Sequence, residues 1–295
     1  MKQSTLELLQ SPQSSQSLKL VAGGIKNDLI WEGVLINESE KYNISEGIAD
    51  LIHPRTLLPS DKEFRGKYDS NAREYQIGMD WLFKVFHEKE ENIRLQMAGI
   101  INAETSDLIL DIGCGTGKDA EYIFNSCKGV NIILADISIN MLKEARVNLE
   151  PFKDRTDFVL CNGAHLPFSD NSFDKVFHFG GINEFGNKNL AIQEFSRVVK
   201  PGGKIIFGDE GIAPWLANKE YGQILKSANP LYGHTPPIEL LPSGARHVKL
   251  HWILGNAFYL IEFDNSKSLP PIDVDLPIPG KRGGTLRSRY KDKTG

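Results

Sequence analysis

Leu108-Ile109-Leu110-Asp111-Ile112-Gly113-Cys114-Gly115-Thr116-Gly117-Lys118 reads as an apolar run, an acid, and then glycine at every second position before an amphipathic stretch. A chain leaving a buried parallel strand must turn sharply and let its backbone approach a ligand closely, which residues without a Cβ do without strain. The helix that follows offers free N–H groups at its start. The run therefore predicts a nucleotide-binding strand-to-helix turn. Its detail departs from the dinucleotide pattern G-x-G-x-x-G, because the glycines alternate and Asp111 stands two residues before the first of them. A carboxylate at that place disfavours phosphate and favours a ligand with a cationic amino acid moiety.

Further units follow in the order an α/β sheet requires. Residues 130–135, Val-Asn-Ile-Ile-Leu-Ala, are apolar almost throughout, as a strand buried on both faces is, and they end in Asp136. An acid there is placed to accept from both hydroxyls of a ribose, with a helix cap beside Ser138 as the competing role. Ile139, Leu142, Ala145 and Leu149 recur at helical spacing, and Met141 belongs either to the core or against an adenine face. A third strand at 157–160 runs into Cys161-Asn162-Gly163-Ala164-His165-Leu166-Pro167-Phe168. A fourth at 175–179 runs into Gly180-Gly181-Ile182-Asn183-Glu184-Phe185. Ligands of open α/β sheets lie beyond the carboxyl ends of the strands, so Phe179 to Phe185 are expected to face the reacting group. A helix over 187–199 is predicted to stop at Lys200-Pro201-Gly202-Gly203, ahead of a strand at 204–208. Segments 247–254 and 257–263, joined by Gly255-Asn256, predict a closing antiparallel hairpin.

Taken together, these landmarks resemble the motifs of class I S-adenosylmethionine-dependent methyltransferases, of the small-molecule type found in ubiquinone and menaquinone biosynthesis. The residues that carry the resemblance are the acid with G-x-G-x-G at 111–117, Asp136, the stretch from Asn162 to Leu166-Pro167-Phe168 with Phe173-Asp174, and Lys-Pro-Gly-Gly before the fifth strand. It covers about residues 105–263 and implies an α/β fold. That fold is a Rossmann-like seven-stranded sheet flanked by helices, with an antiparallel C-terminal hairpin, here joined by a small N-terminal β cap and helices. The implied cofactor is S-adenosylmethionine, leaving as S-adenosylhomocysteine. Its implied binding residues are Asp111, Gly113, Cys114, Gly115, Gly117, Asp136, Ile137, Met141, Asn162, Gly163, Ala164 and Phe179. Adenine needs an acceptor for its exocyclic amine and a donor for N1, which Asn162 Oδ1 and the Gly163 or Ala164 N–H can supply. The family more often carries Asp where this chain has Asn162, which weakens the amine contact. The segment Lys67-Tyr68-Asp69-Ser70-Asn71-Ala72-Arg73-Glu74-Tyr75 resembles the family's Tyr-Asp-x-x-Ala-x-x-Tyr element, a helix folded over the cofactor. Tyr68 and Tyr75 are its candidates.

Bulk properties set limits. The 295 residues are 40% hydrophobic and 24% charged, enough to bury a full α/β core with appendages. A net charge of −4 argues against a basic nucleic-acid surface. No apolar run reaches the ~20 residues of a membrane span, and the Ser/Gln-rich start is not a secretory signal. Cys114, Cys127 and Cys161 are odd in number without C-x-x-C spacing, so neither disulfides nor a metal site is indicated, and a reduced cytoplasmic location is expected. The partner expected is a small-molecule acceptor, with no nucleic acid, no membrane span and a possible homodimer.

Outside the resemblance, composition predicts a disordered tail at 1–17, a small β-rich cap at 18–60 and an extended basic tail at 265–295. The methyltransferase domain is expected over 65–264, including helical periodicity through Ile77, Trp81, Leu82, Val85 and Phe86. An insert at 209–246, with Trp215, Tyr221, Tyr232 and His234, reads as a substrate-recognising lid. In-line displacement from a sulfonium needs mainly positioning and desolvation. If the acceptor must lose a proton, Glu184, Asn183 and His178 are the catalytic candidates, with Glu210 and His234 further options. The alternative reading is a protein that binds the cofactor without methyl transfer, as a regulatory subunit or an enzyme of another reaction type.

Overall fold

The computed structural model describes residues 1–280 and 283–294, with the side chains of 292–294 left aside. Its elements in chain order are α1 (Gln3–Leu6), β1 (Lys19–Lys26), β2 (Leu29–Ile36), β3 (Lys41–Ser45), β4 (Ile48–Asp50), α2 (Pro59–Asn71), α3 (Tyr75–Val85) and α4 (Glu90–Ile101). There follow β5 (Leu108–Ile112), α5 (Lys118–Ser126), β6 (Asn131–Asp136), α6 (Ile139–Asn148), β7 (Thr156–Leu160), β8 (Phe173–Phe179), α7 (Lys188–Val198) and β9 (Val199–Glu210). The chain continues through α8 (Glu220–Ala228), β10 (Ala245–Ile253), β11 (Phe258–Asn265) and α9 (Leu286–Thr294).

All eleven strands form one sheet in the order β1-β2-β3-β4-β7-β6-β5-β8-β9-β11-β10. The seven from β7 to β10 are the expected Rossmann-like core: β7, β6, β5, β8 and β9 run parallel, and β11 pairs antiparallel with both β9 and β10. The strand count differs from the expected seven because the N-terminal strands are not a separate cap. They form a meander that ends in β4, and Ala49 and Asp50 pair parallel with Val159 and Leu160 of β7. This continuation covers what would otherwise be an exposed edge of the parallel sheet. Central strands β5 and β6 are buried along nearly their whole length, which is why they read as unbroken apolar runs.

Several local expectations need correction. Residues 1–17 pack rather than dangle: Leu9 is buried and bridges Phe168, and the buried Ser11 Oγ lies 3.2 Å from Tyr42 Oη. Contacts far along the chain order a segment whose own composition does not. Lys200-Pro201-Gly202-Gly203 does not precede the strand; β9 begins directly at Val199, and these residues form an irregularity in its pairing with β8. The β10–β11 connection has four residues instead of two, with Leu254, Gly255 and Asn256 all at positive φ. The C-terminal segment carries α9 rather than being extended throughout, while Lys281, Arg282 and Gly295 of the expected basic tail lie outside the described residues. No helix among the described residues is long and apolar enough to cross a membrane, and these residues hold no His/Cys/Asp/Glu cluster able to bind a metal.

Candidate active site

The main cavity opens beyond the carboxyl ends of β5, β6, β7 and β8, under a cover made by α2, α3 and α4. Its floor is the turn after β5. Gly113, Gly115 and Gly117 sit at φ of 61°, 52° and 77°, so each needs the left-handed conformation that glycine adopts freely. Their reasons otherwise differ. A Cβ on Gly113 would meet the His178 ring at 3.2 Å, and one on Gly117 would meet Leu149 at 2.8 Å. A Cβ on Gly115 would find only Tyr75 Cε1, at 3.9 Å, so this glycine faces open cavity. Gly113, Cys114 and Gly115 line the cavity; Gly117 does not, and serves the packing of α5 against α6.

Asp136, at the end of β6, holds the turn from below. It accepts from Gly115 N at 2.9 Å through Oδ2 and from Ser138 N at 2.8 Å through Oδ1. Burial pushes its carboxyl up to about 6, although those N–H donors favour the charged form. Ser138 caps α6 by accepting from Met141 N and donates its Oγ to Asp69 Oδ1 at 2.6 Å. Asp69 thus fastens α2 to the start of α6. Ile137 and Met141 line the same wall, Met141 with its side chain buried.

Asp111 is placed differently from expectation. It lies behind the turn and does not line the cavity, and burial with the neighbouring Asp119 and Asp136 charges holds its carboxyl well above the usual range. Its Oδ2 has no hydrogen-bond partner. Two cations line the cavity, Lys118 at the start of α5 and the buried Arg94 of α4, and the latter was missed by sequence reasoning. The Arg94 guanidinium reaches Asp119 Oδ2 at 2.6 Å and Glu90 Oε1 at 3.3 Å. Its neighbours in sequence are a helical alternation of apolar and charged residues, which carries no local signal of a site.

On the opposite side, Asn162 and Gly163 line the cavity, but Ala164 does not. The Ala164 N–H is taken by Asn162 Oδ1 at 2.9 Å, which removes it as a ligand donor. Asn162 Nδ2 donates to Asp61 Oδ2 at 3.1 Å, and Gly186 N donates to Asp61 Oδ1 at 2.8 Å. Asp61, in the first turn of α2, is buried and lines the cavity.

Of the three catalytic candidates only Glu184 lines the cavity. Its Oε2 accepts from Tyr68 Oη at 2.5 Å, and Lys67 Nζ lies 3.6 Å from Oε1. Burial raises the Glu184 carboxyl, against the lowering effect of Tyr68 and Lys67; burial and the Glu184 charge push the Tyr68 phenol up. Tyr75, edge-on to Tyr68, lines the cavity too, and burial pushes it up to about 12. Asn183 is occupied elsewhere: its N–H donates to Asp209, its Nδ2 to the Glu210 carbonyl, and its Oδ1 accepts from Lys188 Nζ. It ties the β8 loop to β9. His178 is fully buried beneath Gly113, with Nδ1 2.7 Å from the Ile112 carbonyl and ring contacts to Phe185 and Phe195. Burial lowers its pKa, so it is a neutral packing imidazole. Phe179, Phe258 and Glu210 complete the wall. Burial and the adjoining Asp209 carboxylate hold Glu210 well above the usual carboxylate range.

The insert expected to recognise substrate contributes nothing to the cavity between 211 and 244. Tyr232 packs behind it on Phe258 and Phe86, Trp215 stacks edge-on to Trp252, and Tyr221 Oη donates to the Gly255 carbonyl. What reaches the cavity from this side is the hairpin turn, through Leu254 and Phe258.

Residues 110–207 match the family described as a methyltransferase domain. Among similar proteins, the ubiquinone/menaquinone biosynthesis C-methyltransferase UbiE of Hahella chejuensis is 31% identical over 172 residues, 56% of this chain and 67% of that protein. Methyltransferase GfsG of Streptomyces halstedii is 31% identical over 124 residues, 41% of this chain and 44% of that protein. Among solved structures, the phosphoethanolamine N-methyltransferase 2 of Haemonchus contortus in complex with S-adenosyl-L-methionine has a TM-score of 0.55 at 16% identity. That likeness covers 79% of this chain and 63% of the other, and it bears on the fold alone. The chain belongs to the class I S-adenosylmethionine-dependent methyltransferases, of the type that includes the ubiquinone/menaquinone biosynthesis C-methyltransferases. The match spans 44% of the length of GfsG and 56–67% of the length of the ubiquinone/menaquinone biosynthesis relatives.

Proposed function

We propose that this chain transfers a methyl group from S-adenosylmethionine to a small-molecule acceptor, and that Glu184 receives the acceptor's proton. The observation that carries the reading is that the Gly113–Gly115 turn, Asp136 and the Tyr68–Glu184 pair all line one cavity. The residues present fit the cofactor. The open face of Gly115 gives backbone room for it, Asp136 has lone pairs left for ribose hydroxyls, and Arg94 keeps two of its five N–H donors for a carboxylate. The cofactor supplies a methyl group already activated on a sulfonium centre.

The protein's own part is positioning, exclusion of water and handling of one proton. Helices α2 to α4 cover the cavity, and the Asp69–Ser138 hydrogen bond holds that cover to the cofactor-binding side. Tyr68, whose phenol stays protonated, donates to Glu184 Oε2 and fixes its direction. Glu184 Oε1, which Lys67 Nζ approaches to 3.6 Å, still has lone pairs for the acceptor, and its raised carboxyl is a better base than an ordinary glutamate. Carbon as the methylated atom is supported by the names of the relatives, since a phenol or enol deprotonated by Glu184 becomes nucleophilic at carbon. The test is release of S-adenosylhomocysteine on incubation with S-adenosylmethionine and a panel of phenols, quinols and enolisable ketones. Acceptor-dependent release supports the proposal. Tight binding of S-adenosylhomocysteine with no release across the panel would favour a non-transferring binding protein.

A further inference from the structure

We propose that Asp61, on the covering helix α2, is the acceptor for the exocyclic amine of the adenine, in place of the strand-end residue Asn162. The inference rests on the cofactor reading above and concerns which residue recognises the base. The family pattern puts an acid after β7, where this chain has Asn162. In the structure the Asn162 amide is already engaged at both ends. Its oxygen receives the Ala164 N–H and its nitrogen donates to Asp61. The amide nitrogen, a donor, is thus directed to the side where an acid of the family pattern would offer an acceptor.

The missing carboxyl is supplied by the neighbouring helix α2, in hydrogen-bond contact with Asn162. Asp61 is 6% exposed and lines the cavity beside Asn162, Gly163 and Phe64. A carboxylate offers about four acceptor positions, and two are filled, by Asn162 Nδ2 and Gly186 N. The remaining lone pairs suit an amine. The packing is close on this side: a Cβ on Gly186 would come within 3.0 Å of both Asp61 oxygens, and one on Gly163 within 2.6 Å of the Phe185 ring. Asp61 therefore has a fixed position. One consequence is that base recognition depends on the cover as well as on the sheet, because the acceptor belongs to α2.

The experiment is calorimetric titration with S-adenosylhomocysteine and with its analogue bearing hydrogen in place of the 6-amino group. For the unmodified chain we expect the analogue to bind about tenfold or more weakly, as loss of a hydrogen bond to a charged acceptor implies. In Asp61→Asn that ratio should fall below about threefold. In Asn162→Ala, which removes the competing amide oxygen, the full ratio should persist; if Asp61→Asn does not fold, Asp61→Ser, which withdraws the carboxylate from the base, replaces it with the same expected fall in ratio. A full ratio in Asp61→Asn, or its disappearance in Asn162→Ala, overturns the proposal. Equal binding of both compounds by the unmodified chain also overturns it while leaving the cofactor reading intact. Binding of neither would sink the cofactor reading itself.

Discussion

Two covers lie over the sheet's active end, and only one of them builds the site. The N-terminal cover, α2 to α4, presents Asp61, Phe64, Tyr68, Tyr75 and Arg94 to the cavity, and hydrogen bonds tie it to the sheet at Asn162, Ser138 and Glu184. The insert between β9 and β10 is richer in the aromatic residues that suggest recognition, yet no residue from 211 to 244 reaches the cavity. Its aromatics are spent on the outside of the wall, against Phe86, Trp252 and Phe258. Aromatic content is therefore no guide to the site here: Tyr232 is buried, Trp215 and Tyr221 are exposed, and none of the three lines the cavity, whereas the cover's buried Asp61 and Arg94 do. Burying an Asp, Arg or Tyr costs desolvation free energy, and where such groups find partners beside a cavity, as Asp61, Arg94 and Tyr68 do, they point to a function.

The sharpest way to break this contrast is at the junction between cover and sheet. Glu184→Gln keeps the shape of the side chain but removes the base, and turnover at saturating acceptor should fall by about 10² or more. Tyr68→Phe keeps Glu184 but frees its direction, so a smaller loss of about tenfold is expected, mainly in kcat. If Glu184→Gln turns over like the unmodified chain, the pair is structural and the cover merely shields the cofactor. Next in size, Asp136→Ala should weaken S-adenosylhomocysteine binding by about 1 to 3 kcal/mol in a calorimetric titration, through ribose hydroxyls left without an acceptor. Unchanged affinity would remove Asp136 from the cofactor site.

The same residue supplies a pH signature with a definite sign. The Asp136 carboxyl ionises at about 6 in the fold against an ordinary value of 3.8, so the fold favours its protonated form. Its contribution to stability is therefore most favourable below pH 4 and is lost as pH rises from about 4 to about 6, by up to roughly 3 kcal/mol. Cofactor affinity should run the other way, rising through pH 6 as the carboxylate forms. A Kd for S-adenosylhomocysteine that stays flat between pH 5 and pH 7 would contradict the shift or the contact.

The sheet was legible because its information is local. Unbroken apolar runs, strand-end acids and glycines at positive φ declare themselves within ten residues, and β5 to β8 accordingly lie within two residues of their expected bounds, while β9 starts five residues earlier than expected. Residues 1–17 and Asp61 were not legible, for a common reason. Leu9 is ordered by Phe168, and Asp61 by Asn162 and Gly186, partners more than a hundred residues away. Arg94 was missed likewise, since its meaning comes from Asp119. Along α3 the apolar spacing marked a helix but not its direction: Phe83 is buried, while Ile77 and Trp81 are exposed. Periodicity identifies a face, and only the fold says whether that face is covered.

The smallest effect should come from the insert, and it separates support from recognition. Tyr232 is buried with its ring against Phe86 and Phe258, the latter a cavity residue, so Tyr232→Leu loosens the wall from behind without touching a ligand. The lost aromatic contacts should lower stability by about 1 to 2 kcal/mol, read as a shift in the denaturant midpoint. Acceptor KM should change by less than about threefold, because the polar groups of the cavity all come from elsewhere. Trp215→Ala, at an exposed indole whose ring contact is Trp252, should do less in both measurements. A tenfold rise in acceptor KM with either variant would mean that the insert moves into the cavity when acceptor binds, and the division between a recognising cover and a supporting one would then be a property of the ligand-free chain only.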